Sequence, residues 1–210
     1  MTPRARLRIV TESRPNAATP AASLAPTDEA LLASSAHGDP AALGALYDRH
    51  AQSVAKFLSR LGHVDAADVE DLVHDAFIAV ARTAARFRGD CAVRTWILSV
   101  AANVARDRAR ASRRRRAFKQ LWALRGASHS EGADEIVSAN ETAVLLERAL
   151  AKLPIEQASV FVMCELEEVP CSEAAQAVGA PIGTIYRWLH DARCALRAVA
   201  KAETERGAQK

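Results

Sequence analysis

The regular spacing of apolar residues constrains the fold of this chain more than any other sequence feature. Apolar residues recur every three or four positions, which is the period of an amphipathic α-helix. One such run ends at Gly62, a residue typical of helix stops, and its members are Leu43, Leu46, Tyr47, His50, Val54, Phe57, Leu58 and Leu61. No strand signal of any strength accompanies these runs. The sequence therefore predicts an all-α fold.

Helix start signals define a first domain over residues 27–116. Thr27-Asp28 precedes the first apolar pair, and Asp39-Pro40 combines an N-cap with proline at the first helical position. A second helix is predicted from about 65 to 87, and a third begins near Val93. These three packed helices are expected to form the first domain.

A second helical domain is predicted over residues 138–200. Capping-box spacing at 138–141 opens it, and four helices follow. Their boundaries are marked by Pro154, Pro170, Gly179 and Pro181. Residues 117–137 are expected to form a linker, because the stretch from about 126 to 134 consists mainly of Gly, Ser, Ala and acidic residues. Residues 1–26 are expected to be a disordered tail, and 201–210 a C-terminal tail.

Basic residues are concentrated between Arg82 and Lys119. That segment holds twelve of them against two acidic residues, Asp90 and Asp107, which gives a net charge of about +10. The formal net charge of the whole chain is only +3, so the rest of the chain is net acidic. This asymmetry indicates a polyanion-binding surface beside a partner face of different charge.

The cysteines and the apolar runs narrow the class of protein further. The cysteines, Cys91, Cys164, Cys171 and Cys194, show no CxxC spacing, and no secretory apolar segment precedes them. We therefore expect structural or incidental thiols, with no disulfide framework, metal site or cofactor. No apolar run approaches the roughly 20 residues that cross a bilayer, so we expect a soluble cytoplasmic protein without membrane insertion.

The predicted third helix carries polar and basic side chains opposite its apolar stripe. They are Thr95, Ser99, Asn103, Arg106, Arg110 and Arg113, at steps of three or four. Arg and Asn can contact both phosphates and base edges. The alternative is a solvated helix face, but such faces mix both signs, and only Asp107 offsets these arginines. The pattern favours contact with nucleic acid.

Two further features of the first domain point to binding. The loop between Phe87 and Trp96 combines aromatic and cationic groups, which suits an unstacked single-stranded base, although both aromatic residues fit core positions equally well. On the second helix, a face away from the core carries Asp71, His74, Asp75 and Ile78. An acidic face on a domain that binds polyanions indicates a basic protein partner, with simple solubility as the alternative.

The order of residues from 174 to 189 is typical of a helix-turn-helix. Small and apolar residues at 174, 175 and 178 precede a turn at Gly179, and Ile185 and Leu189 follow it. The outward side chains of the last helix are Thr184, Tyr186, Arg187, His190, Arg193 and Arg197. These suit a DNA major groove, while an ordinary helical hairpin is the alternative reading.

Two blocks of the sequence resemble the extracytoplasmic-function class of bacterial sigma factors. Residues 71–77, 86–90 and 93–97 look like conserved region 2 of that family. Residues 153–157 and 183–193 look like its region 4. Both blocks have the order and spacing of the family, which is more specific than a helix-turn-helix alone.

The resemblance implies a protein that directs RNA polymerase to promoters of a stress or envelope-signal regulon. It assigns contact with the clamp helices of the largest polymerase subunit to Asp71, Leu72, His74, Asp75 and Ile78. It assigns the −10 element to Arg88, Asp90, Arg94 and the polar face of the third helix, and the −35 element to the last helix. Other partners implied are promoter DNA, the flap of the second-largest subunit and an anti-sigma factor.

Several positions depart from the family pattern. His74 and Asp75 stand where Gln and Glu are usual, and Pro170-Cys171 replaces Ser-Tyr. Trp188 and Asp191 stand where the family commonly has Arg. The loss of two positive charges near the groove-facing helix should weaken its attraction to phosphate.

Two other functions compete with this interpretation. A stand-alone helix-turn-helix regulator would bind duplex DNA as a dimer, but it would have no need of the arginine face in the first domain. The His74-Asp75 dipeptide, with His50 and His63 upstream, is reminiscent of metal-dependent phosphohydrolases. We expect His50 on an inner stripe and His74 facing outward, so these side chains should not converge on a metal.

Overall fold

The computed structural model describes residues 25–123 and 141–207. Within these ranges the chain is helical and contains no strand. The helices are α1 (Asp28–Ala36), α2 (Pro40–Arg60), α3 (Val69–Thr83), α4 (Val93–Ala123), α5 (Glu141–Leu150), α6 (Ile155–Phe161), α7 (Cys171–Val178) and α8 (Ile182–Gly207). The predicted all-α fold with two helical domains is confirmed. Most of the expected N-terminal tail and linker, and the capping box before α5, lie outside the described residues.

The predicted helix starts of the first half are confirmed by local hydrogen bonds. The Thr27 hydroxyl accepts from the Ala30 N–H at 3.3 Å. The Asp39 carboxylate accepts from the Ala41 N–H at 2.9 Å, directly ahead of Pro40 at the first helical position. These caps satisfy amide groups that have no partner inside their helix, so each boundary is fixed by a few neighbouring residues.

The segment predicted as one helix from 65 to 87 is divided into three pieces. Short 3₁₀ turns, Ala66–Asp68 and Ala84–Arg86, flank α3. The helix predicted to follow Pro154 likewise ends as α6 and continues as a π-helical turn, Val162–Leu166. There the Glu167 N–H donates to the Val162 carbonyl at 3.0 Å, one residue farther than an α-helical bond. Apolar spacing does not distinguish these tighter and wider turns from an α-helix.

The core of the first half forms where α2, α3 and α4 pack together. Phe57, Leu72 and Ile97 contribute one fully buried side chain from each helix. Helix α1 joins them as a fourth element, because Leu31 and Leu32 are buried in the same cluster. The expected three-helix domain therefore has four helices.

In the second half, α7, a turn and α8 form the expected helix-turn-helix. Gly179 ends α7 with a φ of +71°, the left-handed conformation that glycine adopts without steric cost. Ala175 of α7 and Ile185 and Leu189 of α8 are buried, and the two helices pack against each other. This packing leaves the opposite side of α8 exposed. Among the described residues, no helix has the length and apolar character to cross a membrane.

Candidate nucleic-acid and polymerase interfaces

The exposed face of α3 is acidic and carries one large apolar group. We call Asp71, His74, Asp75 and Ile78 the acidic α3 face; all four are exposed, and Ile78 has 49% of its surface accessible. The imidazole Nδ1 of His74 lies 2.9 Å from the Glu70 carbonyl, which helps to hold the ring against its own helix. A single exposed isoleucine is common on protein surfaces, so the carboxylates are what distinguishes this face.

One residue assigned to polymerase contact does not belong to this face. Leu72 is only 1% exposed and lies in the core with Ala76, four residues later on the same stripe. The prediction that Leu72 touches a partner is therefore wrong, because residues three or four apart share a helix face. Leu72 supports the acidic α3 face from beneath.

Helix α4 is covered on more sides than its sequence predicts. Thr95 and Ser99, expected on an open polar face, are 3% and 4% exposed. The reason is that α4 packs against α2 and α3 on one side and against α6 and α7 on the other. The Ser99 hydroxyl donates to the Trp96 carbonyl at 2.7 Å. In this arrangement neither Thr95 nor Ser99 is available to a nucleic acid.

The later part of the α4 face remains accessible and is cationic. Asn103, Arg110 and Arg113 are exposed, and Arg106 is partly exposed. Glu156 of α6 lies close to two of the guanidinium groups, 4.0 Å from Nη1 of Arg106 and 3.7 Å from Nη2 of Arg110. Nε of Arg106 is buried without a hydrogen-bond partner. These cations can bind an anion, and a carboxylate of the second half already lies beside them.

The charged residues of the loop before α4 and of the first turn of α4 differ in their exposure. Arg88 and Asp90 are exposed, whereas Arg94 is held by hydrogen bonds. Arg94 donates to the Ser53 hydroxyl at 3.0 Å and to the carboxylate of Glu167. The rings of Phe87 and Trp96 meet edge to face, with centroids 5.6 Å apart, and both are partly buried against the core. They pack on each other here, which favours their core role over an open base-stacking platform.

The outer side of α8 is exposed, as its sequence predicts. Tyr186, Arg187, His190 and Arg197 are open to solvent, while Thr184 is partly buried. Arg193 is exposed and donates to the Glu165 carboxylate, which raises the pKa of this guanidinium further. The helix therefore presents aromatic, imidazole and guanidinium groups on one side of a helix-turn-helix.

Comparison with known proteins explains why these surfaces occur in one chain. The family model "Sigma-70 region 2" matches residues 46–115, and "Sigma-70, region 4" matches residues 143–196. The ECF RNA polymerase sigma-E factor of Escherichia coli K12 is 31% identical over 178 residues, which cover 81% of this chain and 92% of that protein. This chain belongs to the ECF sigma factors. The family consists of initiation factors for RNA polymerase, which act on promoter DNA and are not enzymes in general.

This sigma factor is also similar to a second sequence relative and to two solved structures. The ECF sigma factor SigM of Mycobacterium tuberculosis is 29% identical over 161 residues, covering 76% of this chain and 77% of SigM. The fold resembles CnrH bound to the cytosolic domain of CnrY, with a TM-score of 0.58 and 24% identity over 83% of this chain and 97% of that one. It also resembles RpoE bound to the anti-sigma factor NepR from Bartonella quintana, with a TM-score of 0.51 and 18% identity over 72% and 91%.

The phosphohydrolase alternative has no support in the geometry of this sigma factor. His50 is 8% exposed and lies 2.7 Å from the Asp28 carboxylate, whereas His74 faces solvent on another helix. No group of three His, Cys, Asp or Glu residues in the described ranges is placed to hold a metal ion.

The cysteines of this sigma factor are free thiols. Burial raises the pKa of Cys164 to about 12, and the neighbouring thiol of Cys171 adds to this effect. Burial also raises the pKa of Cys91, and the carboxylates of Glu173 and Asp90 contribute. Cys91 and Cys164 are therefore held in their protonated, weakly nucleophilic form at neutral pH.

Sequence reasoning missed two groups of residues. Ile182, at the start of α8, is 44% exposed and lies one turn before Tyr186, so it extends the exposed side of the helix. Arg60, Glu167 and Glu173 form contacts between the two domains. Helical spacing contains a signal for the first group, because positions 182 and 186 share a face. It contains none for the second, whose partners are far apart in sequence.

Proposed function

We propose that this chain directs core RNA polymerase to its promoters through three separate surfaces. Membership of the sigma-factor family indicates the activity in transcription initiation. The assignment of polymerase and promoter contacts to particular residues is our proposal. The observation that carries it is the separation of the acidic α3 face from the cationic faces of α4 and α8. Carboxylates do not attract the phosphates of DNA, so the acidic α3 face suits a basic protein partner better than a nucleic acid.

The acidic α3 face is the proposed polymerase contact. Asp71 and Asp75 offer charge to a basic partner, and Ile78 offers apolar area that a partner can bury. His74 lies between them. The partner surface we propose is the pair of clamp helices in the largest polymerase subunit, with a further contact between the second domain and the flap of the second-largest subunit.

The cationic part of α4 is the proposed −10 element contact. The side chains that can reach DNA in this arrangement are Arg88, Asp90, Asn103, Arg106, Arg110 and Arg113. Among the α4 side chains that the structure describes, Asn103 is the only exposed amide, and an amide can form paired hydrogen bonds with a base edge. The arginines supply the sequence-independent attraction to phosphates.

The exposed side of α8 is the proposed −35 element contact. A recognition helix places its N-terminal residues against base edges in the major groove. Tyr186 and Arg187 lie in the first turns, and His190, Arg193 and Arg197 follow on the same side. Asp191 is also exposed there and accepts from Gln157 Nε2 at 3.5 Å, so an acidic group reduces the positive field of this surface.

We also propose that an anti-sigma factor controls this chain. The structural neighbours CnrH and RpoE were each solved with a partner protein, which in the case of RpoE is an anti-sigma factor. We further propose that this chain serves a regulon of stress or envelope signals and that it acts in the cytoplasm without catalysing a reaction.

Transcription in vitro tests the proposed function. Core polymerase is given a fragmented genomic library with and without this protein, and the RNA start sites are mapped. We expect new starts that share a −10 and a −35 sequence. Tight binding to duplex DNA by the free protein as a dimer, without new starts, would favour the stand-alone regulator.

A further inference from the structure

Two thiols lie together where the chain reverses direction ahead of the helix-turn-helix. Cys164 lies in the π-helical turn Val162–Leu166, and Cys171 is the first residue of α7. The Val169 N–H donates to the Met163 carbonyl at 3.0 Å, which closes the loop between the two cysteines. Glu168 in this loop has a φ of +55°, a conformation that residues other than glycine rarely adopt. This reversal of the chain brings the two thiols side by side.

The two thiols are hydrogen-bonded to each other. The S–H of Cys164 donates to Sγ of Cys171. Both side chains are partly exposed and pack against the edge of the core, so a small solute can reach them. A pair of thiols in contact can form a disulfide, which a single cysteine cannot do within its own chain.

The surroundings of the pair give its two sulfurs different roles. Burial raises the pKa of Cys164 to about 12, so this thiol keeps its proton at neutral pH. Negative charge on Cys171 contributes to the same shift, which means that Cys171 is the first of the two to lose its proton. The guanidinium of Arg193, which donates to the Glu165 carboxylate, places a positive charge near both sulfurs. Cys171 is therefore the thiolate of the pair, and Cys164 is the proton donor.

We propose that Cys164 and Cys171 form a site of reversible oxidation by hydroperoxides. The thiolate of Cys171 attacks one peroxide oxygen, the O–O bond breaks, and the departing oxygen takes up the proton that Cys171 had lost. Cys171 is then a sulfenic acid, S–OH. The sulfur of Cys164 attacks this group, its S–H proton leaves with the hydroxyl as water, and an S–S bond forms. The two thiols together lose two electrons, and the peroxide is reduced to an alcohol or to water.

The backbone around the pair can accommodate this bond. An S–S bond is about 2.0 Å long, shorter than any hydrogen-bonded contact between thiols, so the π-helical turn and the first turn of α7 must approach each other. The π-helical turn interrupts the regular α-helical bonding, as such turns frequently do at functional sites. Pro170, the residue that precedes α7, forms no side-chain capping bond that would hold the start of α7 in place.

The disulfide would join the first residue of the helix-turn-helix to the turn ahead of it. In a reducing compartment a disulfide of this kind is transient, which is typical of a thiol pair that senses oxidants. The inference goes beyond the proposed function and does not depend on it, because it concerns the chemistry of the two sulfurs alone.

Peroxide treatment of the full-length protein, followed by trypsin digestion and mass spectrometry, tests the pair. Trypsin releases residues 153–187 as one peptide, which contains Cys164 and Cys171 and no other cysteine. A disulfide removes two hydrogen atoms from this peptide and blocks its alkylation by iodoacetamide. Cys91 is the internal reference, because burial and two nearby carboxylates raise its pKa.

Single serine variants separate the roles of the two sulfurs. Cys164→Ser removes the second thiol and leaves the proposed nucleophile, whereas Cys171→Ser removes the nucleophile. Cys91→Ser is the matched control. Dimedone, which reacts with sulfenic acids, is added with the peroxide. Circular dichroism checks that each variant is folded, and alanine replaces serine in any variant that is not.

We expect the wild type and Cys91→Ser to lose two hydrogen atoms from the peptide and to regain them on reduction with dithiothreitol. Cys91 of the wild type should still be alkylated. Cys164→Ser should accumulate a dimedone adduct at Cys171, while Cys171→Ser should leave Cys164 without one. A peptide that keeps both hydrogen atoms at peroxide concentrations that already oxidise Cys91 overturns the proposed site. Equal adducts at the two cysteines overturn the assigned roles.

Discussion

The carboxylate of Glu167 lies 2.8 Å from a guanidinium nitrogen of Arg60, although 107 positions separate the two residues in the chain. This pair crosses from one domain to the other. The free energy of unfolding should therefore show coupling between the two side chains. We expect a double-mutant cycle of Arg60→Ala and Glu167→Ala, measured by urea denaturation, to give a coupling energy of about 1 kcal/mol. Additive effects of the two substitutions would show that the pair contributes nothing to stability.

Reversal of charge at Asp75 should disrupt polymerase binding. Asp75 is exposed in the middle of α3, so Asp75→Lys is expected to fold normally while it repels a basic partner surface. The measurement is capture of core polymerase by the tagged variant, with a thermal melt as the check on folding. Asp48→Lys, also exposed and within a helix, is the matched control and should bind as the wild type does. Normal capture by Asp75→Lys would remove the acidic α3 face from the proposal.

Substitution of Asn103 should impair promoter opening and leave recruitment intact. Asn103 is exposed on α4, where its amide can bind a base of the separated strand. Asn103→Ala should therefore form closed complexes but initiate poorly on duplex templates, and a pre-melted −10 element should restore much of its activity. The measurement is initiation on matched duplex and pre-melted templates.

Substitution of Arg187 should impair recruitment to promoter DNA and leave promoter opening intact. Arg187 is exposed on α8, and its loss should weaken recruitment to duplex DNA by about 1–3 kcal/mol if it contacts a base. Pre-melting of the −10 element should not rescue Arg187→Ala. Equal responses of the two variants to pre-melting would contradict the assignment of separate promoter elements to the two domains.

The ionised carboxylate of Asp28 should stabilise the folded protein near neutral pH, and this stabilisation should be lost at low pH. Burial tends to raise the pKa of Asp28, but hydrogen bonds to Arg49 at 2.7 Å and to His50 at 2.7 Å outweigh it, so the net shift is downward. A pKa lower in the folded than in the unfolded chain means that the ionised form favours folding. The stabilisation is complete above the unfolded pKa of about 3.9 and disappears as pH falls through the folded value. Urea midpoints between pH 3 and pH 6 should fall more steeply for the wild type than for Asp28→Asn, with Glu29→Gln as the exposed neighbouring control.

The reactivity of Cys91 should depend on the carboxylate of Glu173 in the second domain. Burial, Glu173 and Asp90 raise the pKa of this thiol, so its thiolate fraction at pH 8 is low. Glu173→Gln should lower the pKa and accelerate alkylation by iodoacetamide, followed at the Cys91 peptide by mass spectrometry. Cys194 is exposed and serves as an internal reference whose rate should not change. Equal Cys91 rates in both proteins would show that Glu173 does not influence the thiol.

The features that the sequence predicts correctly depend on residues that lie within a few positions of each other. Thr27 and Asp39 cap helices through amide groups two or three positions away, and Gly179 ends α7 through its own backbone conformation. The helix-turn-helix follows from the spacing of small and apolar residues, and the exposed acidic face of α3 follows from the period of its helix. The family resemblance is of the same kind, because it depends on local order and spacing.

Tertiary structure alone decided which polar residues of α4 are accessible. Periodicity placed Thr95 and Ser99 opposite one apolar stripe, but it could not show that a second set of helices, α6 and α7, covers that opposite side. The pairing of Glu167 with Arg60 and Arg94 was likewise invisible in the sequence. A contact between distant positions depends on how two domains are arranged in space, and helical spacing describes only the faces of each helix. The sequence by itself determined the helices and their chemistry, and the packing of the domains decided which of those groups are free to bind.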